Sequence, residues 1–137
     1  MNFELENKVA LVTGGSKNIG KEIALSLASE KVNIAFTYNS SENQAEETLS
    51  EIKKFGVKVK AYKLDISKFN ETQDVLQKIY KDFGNIDILI NNAGFTKIKK
   101  FLETNIDDWN KQIDISLKGT IYCCLLYTSD AADDLLC

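Results

Sequence analysis

The stretch VALVTGGSKNIGKEIA, residues 9–24, joins a short apolar run to a helical pattern through a turn that contains two adjacent glycines. The apolar run has the length of a buried strand, and Ile19, Ile23 and Leu27 follow the turn at helical spacing. A turn between a strand and a helix gathers backbone N–H groups and the positive helix end at one point, which favours phosphate. A glycine turn that only reverses the chain fits the same letters equally well. The stretch alone therefore predicts strand, turn and helix, and leaves the ligand open.

Composition describes one globular domain and excludes several classes of protein. The 137 residues are 44% hydrophobic and 27% charged, which suits a single domain with its own core. No apolar run approaches the roughly 20 residues of a membrane span, and the start lacks a signal-peptide pattern, so we expect a cytoplasmic protein without a membrane partner. The net charge of −3 comes from interspersed acids and lysines, which argues against a nucleic-acid partner. The cysteines Cys123, Cys124 and Cys137 lack metal-ligand spacing and there is no histidine, so no metal is expected.

Strand and helix patterns alternate along the whole chain. VNIAFTY (residues 32–38) predicts a second strand, followed by a helix that Ser41 and Gln44 cap and Gly56 ends. VKVKAYKL (residues 57–64) alternates with period two and carries outward lysines, as an outer edge strand does. IDILI (residues 86–90) is an apolar run interrupted only by Asp87, as expected of a central parallel strand covered on both faces. The sequence predicts an α/β fold with a doubly wound parallel sheet of about four strands in the order 3-2-1-4.

Two further helices complete the pattern. The first carries its apolar residues between Val75 and Phe83 and ends at Gly84. The second begins with Thr104 and Asp107 as a capping pair and carries Trp109, Ile113 and Leu117 on one face. We expect Trp109 to anchor a core or an interface.

One phosphate-binding motif fits the glycine turn only in part. Gly15, Gly20 and Lys21 match the spacing GxxxxGK of a nucleotide-hydrolysing P-loop, but Glu22 follows where that motif needs Ser or Thr to bind magnesium. The buried strand IDILI also leads into Asn91, not into the aspartate that a magnesium site would use. The residues therefore argue against a P-loop and leave dinucleotide binding as the stronger prediction.

Four motifs in order carry a family resemblance. TGGSKNIG (residues 13–20), LDI (64–66), NNAG (91–94) and DISLKG (114–119) resemble the successive motifs of the short-chain dehydrogenase/reductase family. Within that family the sequence is most similar to the 3-oxoacyl-[acyl-carrier-protein] reductases of fatty acid biosynthesis. The resemblance covers residues 3–123 and implies a Rossmann-type fold, of which this chain holds the N-terminal part.

The resemblance also implies the residues that bind a nicotinamide dinucleotide. Gly14 would let the chain pass close to the pyrophosphate, and Gly20 would let the helix pack tightly on the strand. Asn18 stands where the family usually has a glycine, and asparagine tolerates positive φ better than other side chains do. The full set of predicted cofactor-binding residues is Gly14, Ser16, Lys17, Asn18, Ile19, Gly20, Asn39, Asp65, Ile66, Asn92, Ala93 and Gly94.

The end of the second strand predicts NADP(H) over NAD(H). An NAD site needs a carboxylate there to accept from the ribose 2′-OH, whereas this sequence has Tyr38, Asn39 and Ser40. Lys17 stands where NADP-using members of the family have a basic residue, and it can pair with the 2′-phosphate. A solvated loop lysine is the alternative for Lys17.

The resemblance implies hydride transfer between the nicotinamide and a carbonyl or alcohol carbon, with a catalytic serine and a Tyr-x-x-x-Lys motif. The chain contains no Tyr-x-x-x-Lys, because Tyr127 is followed four positions on by Ala131, so we expect this fragment to be inactive. Ser116 stands where the family has an asparagine that holds a relay water, and it is the one catalytic candidate in the chain. A plain helix serine is the alternative.

For the intact parent, the first expectation is NADPH-dependent reduction of a 3-oxoacyl thioester, presented on an acyl carrier protein or as a small molecule. Lys97, Lys99 and Lys100 could meet an acidic carrier protein, or form a solvated face. A sugar or polyol dehydrogenase of the same family and a non-catalytic dinucleotide-binding module remain alternatives. The resemblance also implies that the intact parent is a homo-oligomer.

The C-terminal stretch differs from the rest. Residues 124–137 carry Asp130, Asp133 and Asp134 but no lysine, whereas lysines are frequent before them. CLLYTSDAADD, residues 124–134, is similar to one translated frame of a transposase adapter used in sequencing libraries. We expect residues 1–123 to form a truncated dinucleotide-binding domain and residues 124–137 to be a non-native tail.

Overall fold

The computed structural model describes residues 4–130, which form a four-stranded parallel sheet with helices on both faces. The strands are β1 (Val9–Val12), β2 (Asn33–Tyr38), β3 (Val59–Lys63) and β4 (Ile88–Ile90), in the order β3-β2-β1-β4. The helices are α1 (Asn18–Ser29), α2 (Glu42–Lys53), α3 (Phe69–Phe83), α4 (Ile106–Gln112) and α5 (Gly119–Asp130). A 3₁₀ turn (Phe101–Glu103) precedes α4, and a π-helical segment (Ile113–Lys118) joins α4 to α5. The predicted fold class and strand order are confirmed.

The core consists of two layers, one on each face of the sheet. Alternate residues of β1 point to opposite faces: Ala10 and Val12 pack with residues of α1 and α2, while Leu11 packs with residues of α3 and α5. Leu11 is paired in register with Ala35 of β2 and Leu89 of β4. The apolar character of β1 follows from its place between two strands and two helical layers.

Helix α1 presents small residues, and not its large apolar ones, to the sheet. Gly20, Ala24 and Ala28 are buried, while Ile19 is 70% exposed. The helical spacing of Ile19, Ile23 and Leu27 predicts the helix correctly. These large residues, however, lie beside the buried face of the helix and do not form it. The helix lies too close to the glycine turn for larger side chains, since a Cβ on Gly20 would fall on the carbonyl oxygen of Gly14.

Strand β3 is the outer strand, as the lysines of VKVKAYKL predict, and two of those lysines contact the end of α3. Lys60 Nζ lies 2.7 Å from Asp82 Oδ2, and the Tyr62 hydroxyl donates to the same oxygen at 2.7 Å. Lys58 Nζ donates to the Asp82 carbonyl. Burial, together with the hydrogen bond to Asp82, raises the pKa of Tyr62. The edge strand therefore contacts the end of α3, and its lysines also oppose pairing with a further strand.

Strand β4 differs from the prediction of a central strand covered on both faces. Its residues Ile88, Leu89 and Ile90 are all only half-buried, because β1 is its one paired neighbour among the described strands. Within residues 4–130 it is an edge strand.

The predicted start of α2 and the predicted end of α3 have the expected positions, whereas the cap of α4 does not. Helix α2 begins after Ser41, but the side chain of Ser41 makes no capping bond, and Gly84 ends α3 in the left-handed region as predicted. The capping pair of α4 is one residue later than predicted: Asn105 Oδ1 accepts from the Asp108 N–H at 2.9 Å, and Asp108 completes the box. The side-chain amide of Asn105 caps the helix in place of the hydroxyl of Thr104.

Thr104 has a different partner, since its hydroxyl accepts from the indole N–H of Trp109 at 2.7 Å. Trp109 is 41% exposed and stacks on Phe101 with ring centroids 6.0 Å apart, so it is not part of the described core. The predicted tail begins inside α5, where Leu126 is buried, and residues 131–137 lie outside the described residues.

Candidate functional site

A cleft of about 350 Å³ opens at the carboxyl ends of β1, β2 and β4, where ligands bind in open parallel sheets. Every predicted cofactor-binding residue lines it: Gly14, Ser16, Lys17, Asn18, Ile19, Gly20, Asn39, Asp65, Ile66, Asn92, Ala93 and Gly94. Ser116 is not among the lining residues. All four sequence motifs thus meet around one cavity, the fourth of them, DISLKG, through Ile115.

The glycine turn is shaped by β2. Gly14 adopts φ +64°, its N–H donates to Thr37 Oγ1 at 3.2 Å, and the Gly15 N–H donates to the Thr37 carbonyl at 3.0 Å. The expectation that the glycine turn itself offers free N–H groups is wrong for these two residues. The donors available to a phosphate are those of the first turn of α1, which have no intrahelical partner.

Close packing explains two of the glycines. A Cβ on Gly20 would fall on the carbonyl oxygen of Gly14 and on the amide nitrogen of Asn92. A Cβ on Gly15 would lie 2.6 Å from Cβ of Phe36. Both positions therefore require glycine for space, so that helix α1 can begin against the sheet.

Asn18 takes the left-handed conformation with φ +50°. It is the first residue of α1, and Lys17 before it is extended. Asparagine reaches this region at lower cost than other non-glycine side chains, so the expected substitution of glycine by asparagine preserves the turn. Its side chain is exposed and lines the cleft.

Asn92 and Thr13 join the floor of the cleft to the glycine turn. The Thr13 hydroxyl accepts from the N–H groups of Asn92 at 3.1 Å and Ala93 at 3.0 Å. The Asn92 side-chain nitrogen donates to the carbonyls of Thr13 and Gly14, both at 3.1 Å. The amide of Asn92 thus holds the two loops together, and the backbone of Ala93 and Gly94 is left as the floor.

One wall of the cleft is formed by LDI. Leu64 and Ile66 are buried, while Asp65 is half-buried at the cleft. Asp65 Oδ1 accepts from the N–H of Ser67 at 3.1 Å and from its hydroxyl at 2.6 Å. This local turn fixes the carboxylate before any ligand arrives.

The wall at the end of β2 carries no carboxylate. Tyr38, Asn39, Ser40 and Ser41 line it, with Lys17 from the turn. Among the described residues that line the cleft, Asp65 is the one acidic side chain. The local charge beside Lys17 therefore suits an anion.

Ser116 fastens the far end of the cleft. Its hydroxyl accepts from the Phe95 N–H at 3.1 Å and donates to the Phe95 carbonyl at 3.3 Å. Phe95 lines the cleft, and Lys111 Nζ lies 4.4 Å from the centre of its ring. The serine belongs to the π-helical segment, a feature frequent at functional sites. It acts on the cleft through Phe95.

Two of the three loop lysines are engaged within the chain. Lys97 Nζ lies 2.8 Å from Asp108 Oδ1, and Lys99 Nζ lies 2.9 Å from Asp108 Oδ2. The side chain of Asp108 is only 8% exposed, and its bonds to Lys97 and then Lys99 lower its pKa to about 2. These lysines hold the loop after β4 against α4, whereas Lys100 belongs to neither pair.

The predicted cofactor-binding set leaves out seven lining residues: Thr37, Tyr38, Ser40, Ser41, Leu64, Phe95 and Ile115. In the sequence, Thr37 resembles an ordinary β-branched strand residue. The feature that indicates its place at the cleft is its position as the last residue but one of β2. Phe95 follows NNAG directly, so its place could have been found from the motif.

The described part of the chain holds neither a cluster of metal-binding side chains nor a membrane-spanning helix. Within residues 4–130, no group of three or more His, Cys, Asp or Glu side chains is placed to hold a metal ion. No helix in the same part of the chain is both long and apolar enough to cross a membrane.

Comparison with known proteins gives one consistent family. The sequence model of the short chain dehydrogenases matches residues 8–131. The 3-oxoacyl-[acyl-carrier-protein] reductase FabG of Staphylococcus epidermidis is 40% identical over 117 residues, covering 85% of this chain and 48% of the relative. The NADP-dependent mannitol dehydrogenase of Alternaria alternata is 40% identical over 124 residues, covering 88% and 47%. The chain therefore spans about half the length of these relatives.

Solved structures agree with the fold. A short chain dehydrogenase from Burkholderia cenocepacia in complex with NADP superposes with a TM-score of 0.88 at 29% identity, covering 91% of this chain and 51% of the other. An NAD⁺-bound xylitol dehydrogenase superposes with a TM-score of 0.86 at 28% identity, covering 92% and 48%. Similar folds thus occur with either dinucleotide.

Proposed function

The chain belongs to the short-chain dehydrogenase/reductase family, whose members are oxidoreductases, and from this premise we propose that it is the dinucleotide-binding part of an NADPH-dependent reductase of 3-oxoacyl thioesters. The observation that carries the proposal is the meeting of Lys17, the start of α1 and NNAG around one cleft. The thioester substrate is supported by the similarity to a 3-oxoacyl-[acyl-carrier-protein] reductase.

The residues of the cleft suit a nicotinamide dinucleotide. The N–H groups at the start of α1 would meet the pyrophosphate, and the backbone of Ala93 and Gly94 would support the nicotinamide ribose. Asp65 and Ile66 would hold the adenine. When bound, the dinucleotide supplies the hydride; the protein's part is to orient it.

The choice of NADP(H) rests on charge. Lys17 would pair with the 2′-phosphate, and the wall formed by Tyr38, Asn39 and Ser40 adds no negative charge beside it. An NAD site instead uses a carboxylate at this wall to bind the ribose 2′-OH. Titration of the chain with NADP⁺ and NAD⁺ by calorimetry tests the choice: we expect tighter binding of NADP⁺, and tighter binding of NAD⁺ would overturn it.

Two alternatives remain distinct from the first proposal. Similarity to a mannitol dehydrogenase supports a polyol substrate, and a non-catalytic dinucleotide-binding module would use the same cleft. The test is an assay of the protein encoded by the full reading frame, with NADPH and acetoacetyl thioester, and with NADP⁺ and mannitol. Turnover of the thioester would support the reductase, and turnover of mannitol would support the polyol dehydrogenase. Binding of the dinucleotide without turnover on any carbonyl would support the non-catalytic module.

We propose that residues 1–137 alone bind dinucleotide weakly and turn over nothing. No tyrosine among them is followed four positions on by lysine, so the general acid and base of the family is missing from these residues. Mixing this chain with NADPH and acetoacetyl thioester should leave the absorbance of NADPH constant.

The longer protein is proposed to be a homo-oligomer. An exposed apolar row with a spacing of four residues runs from the π-helical segment into α5. It consists of Ile113, Leu117 and Ile121, each 45% to 56% exposed. Apolar rows of this kind mark association surfaces. Light scattering of the full-length protein measures the state, and a monomer at micromolar concentration would contradict it.

We propose that residues 124–137 are non-native. The match of residues 124–134 to a translated adapter supports this, together with the loss of lysine after Lys118. Recovery of the gene from its source genome by a library-independent method tests it. A frame that continues from Tyr122 into a serine and a Tyr-x-x-x-Lys would support the proposal, and one that encodes SDAADDLLC would overturn it.

A further inference from the structure

Helix α2 reaches the glycine turn through one buried hydroxyl. Thr48 is fully buried, and its Oγ1 donates to the Ser16 carbonyl at 2.8 Å. Thr48 does not line the cleft, whereas Ser16 and Lys17 do. Thr48 therefore bonds to the backbone of a lining residue without lining the cleft itself.

The planar peptide bond between Ser16 and Lys17 links this contact to the orientation of the Lys17 backbone at the cleft. The Ser16 carbonyl and the Lys17 N–H belong to one planar trans unit and point in opposite directions. When Thr48 draws the carbonyl toward α2, the N–H of Lys17 is turned away from α2. The same bond fixes the backbone from which the Lys17 side chain extends.

A second contact joins α1 to α2 close to Thr48. Lys21 Nζ of α1 lies 2.9 Å from Glu51 Oε1 of α2, three residues beyond Thr48. The ion pair is partly exposed and adds little by itself. It shows that the face of α2 that bears Thr48 is the one that meets the start of α1.

We propose that Thr48 is a positioning residue for dinucleotide binding, which orients the Ser16–Lys17 peptide through its hydroxyl. The inference rests on the proposed function, since the ligand is the phosphate-bearing dinucleotide proposed for the cleft. Thr48 touches no ligand and takes no part in hydride transfer. Loss of its hydroxyl leaves a carbonyl without its partner, and the turn must shift to find another.

The experiment compares binding and stability in matched variants of the 137-residue chain. Thr48→Val removes the hydroxyl and keeps the shape. Thr72→Val is the control, because Thr72 is also fully buried and its hydroxyl donates at 2.9 Å to the carbonyl of Lys68, the cap of α3. Neither Thr72 nor Lys68 lines the cleft. Calorimetry measures the dissociation constants of NADP⁺ and of adenosine 2′,5′-bisphosphate, and thermal melting without ligand measures stability.

We expect both variants to melt at similarly lowered temperatures, and only Thr48→Val to bind both ligands roughly tenfold more weakly. Equal affinities in Thr48→Val and the unaltered chain would overturn the inference, and so would an equal loss of affinity in Thr72→Val. Should Thr48→Val fail to fold, Thr48→Ser and Thr48→Ala form a second pair that differs only by the hydroxyl. The serine variant is expected to bind like the unaltered chain and the alanine variant more weakly, and equal binding would overturn the inference.

The unaltered chain separates this inference from the proposed function. If it binds neither NADP⁺ nor NAD⁺, the dinucleotide site itself is wrong and the role of Thr48 is overturned with it. If it binds and the Thr48 variants bind equally well, only the positioning role is overturned.

Discussion

Ser116 holds Phe95 by both of its backbone polar groups, accepting from the N–H at 3.1 Å and donating to the carbonyl at 3.3 Å. One short side chain thereby ties the π-helical segment to the loop that follows β4. Since Phe95 lines the cleft, the position of this loop and the shape of the cleft depend on the pair.

Replacing Ser116 by alanine is expected to release that loop. The Phe95 N–H loses its acceptor, so its hydrogen exchange should become at least tenfold faster, and unfolding should cost about 1 kcal/mol less. Exchange followed by NMR measures the first effect and thermal melting the second. Ser29→Ala is the control, because the Ser29 hydroxyl bonds only within its own helix, to the Ser26 carbonyl, and unchanged exchange at Phe95 in Ser116→Ala would contradict the role.

Gly20→Ala is expected to destabilise the fold and to abolish dinucleotide binding. Its Cβ would fall on the Gly14 carbonyl and the Asn92 amide, and overpacking of this kind costs about 1–3 kcal/mol. Gly56→Ala is the matched comparison, because a Cβ there meets nothing within 4 Å and only its φ of +75° opposes the change. Denaturant unfolding and NADP⁺ titration distinguish the two: Gly56→Ala should keep its affinity, and a Gly20→Ala variant that binds normally would refute the close packing.

Lys17→Ala is expected to reduce the preference for NADP⁺ over NAD⁺. Removing a partly solvated charge beside a phosphate costs on the order of 1 kcal/mol, which corresponds to about a fivefold loss of NADP⁺ affinity. NAD⁺ lacks the phosphate, so its affinity should not change. Lys78→Ala, on an exposed position of α3, is the control, and an unaltered ratio in Lys17→Ala would identify Lys17 as a solvated lysine.

The sequence was sufficient for the features that depend on short-range pattern. Alternation of apolar runs and helical spacing predicted the strand order, and the motifs TGGSKNIG, LDI and NNAG marked residues that the fold brings to one cleft. The strand order is confirmed, and the motif residues share one cleft because parallel crossovers place all the carboxyl strand ends at the same edge.

The remaining features depend on contacts between distant residues. Nothing in the pattern around Gly14 shows that Thr37 takes up the N–H groups of the glycine turn, because the two residues meet only when β1 and β2 pair. Likewise, the exposed side of α1 could not be predicted from Ile19, because the small residues beside it decide which face fits the sheet.

Cys123 is expected to resist thiol reagents in the folded chain. It is fully buried, and burial raises the pKa of its thiol to about 12, so almost none is thiolate at neutral pH. Iodoacetamide labelling followed by mass spectrometry should modify the half-buried Cys124 well before Cys123, and both should react in denaturant. Equal labelling of the two residues in the folded chain would show that α5 does not pack against α3.

Asp108 gives the fold a stability that disappears in strong acid. Its bonds to Lys97 and Lys99 lower its pKa to about 2, against about 3.9 for an unfolded aspartate. Because the folded pKa is the lower one, the contribution is complete above about pH 4 and is lost as the pH falls toward 2. Asp108→Asn should therefore melt below the unaltered chain at pH 6, and the two melting curves should approach each other between pH 4 and pH 2. Asp107→Asn, at the exposed neighbouring position, is the control, and a gap between Asp108→Asn and the unaltered chain that stays constant down to pH 2 would show that the ion pairs with Lys97 and Lys99 do not stabilise the loop.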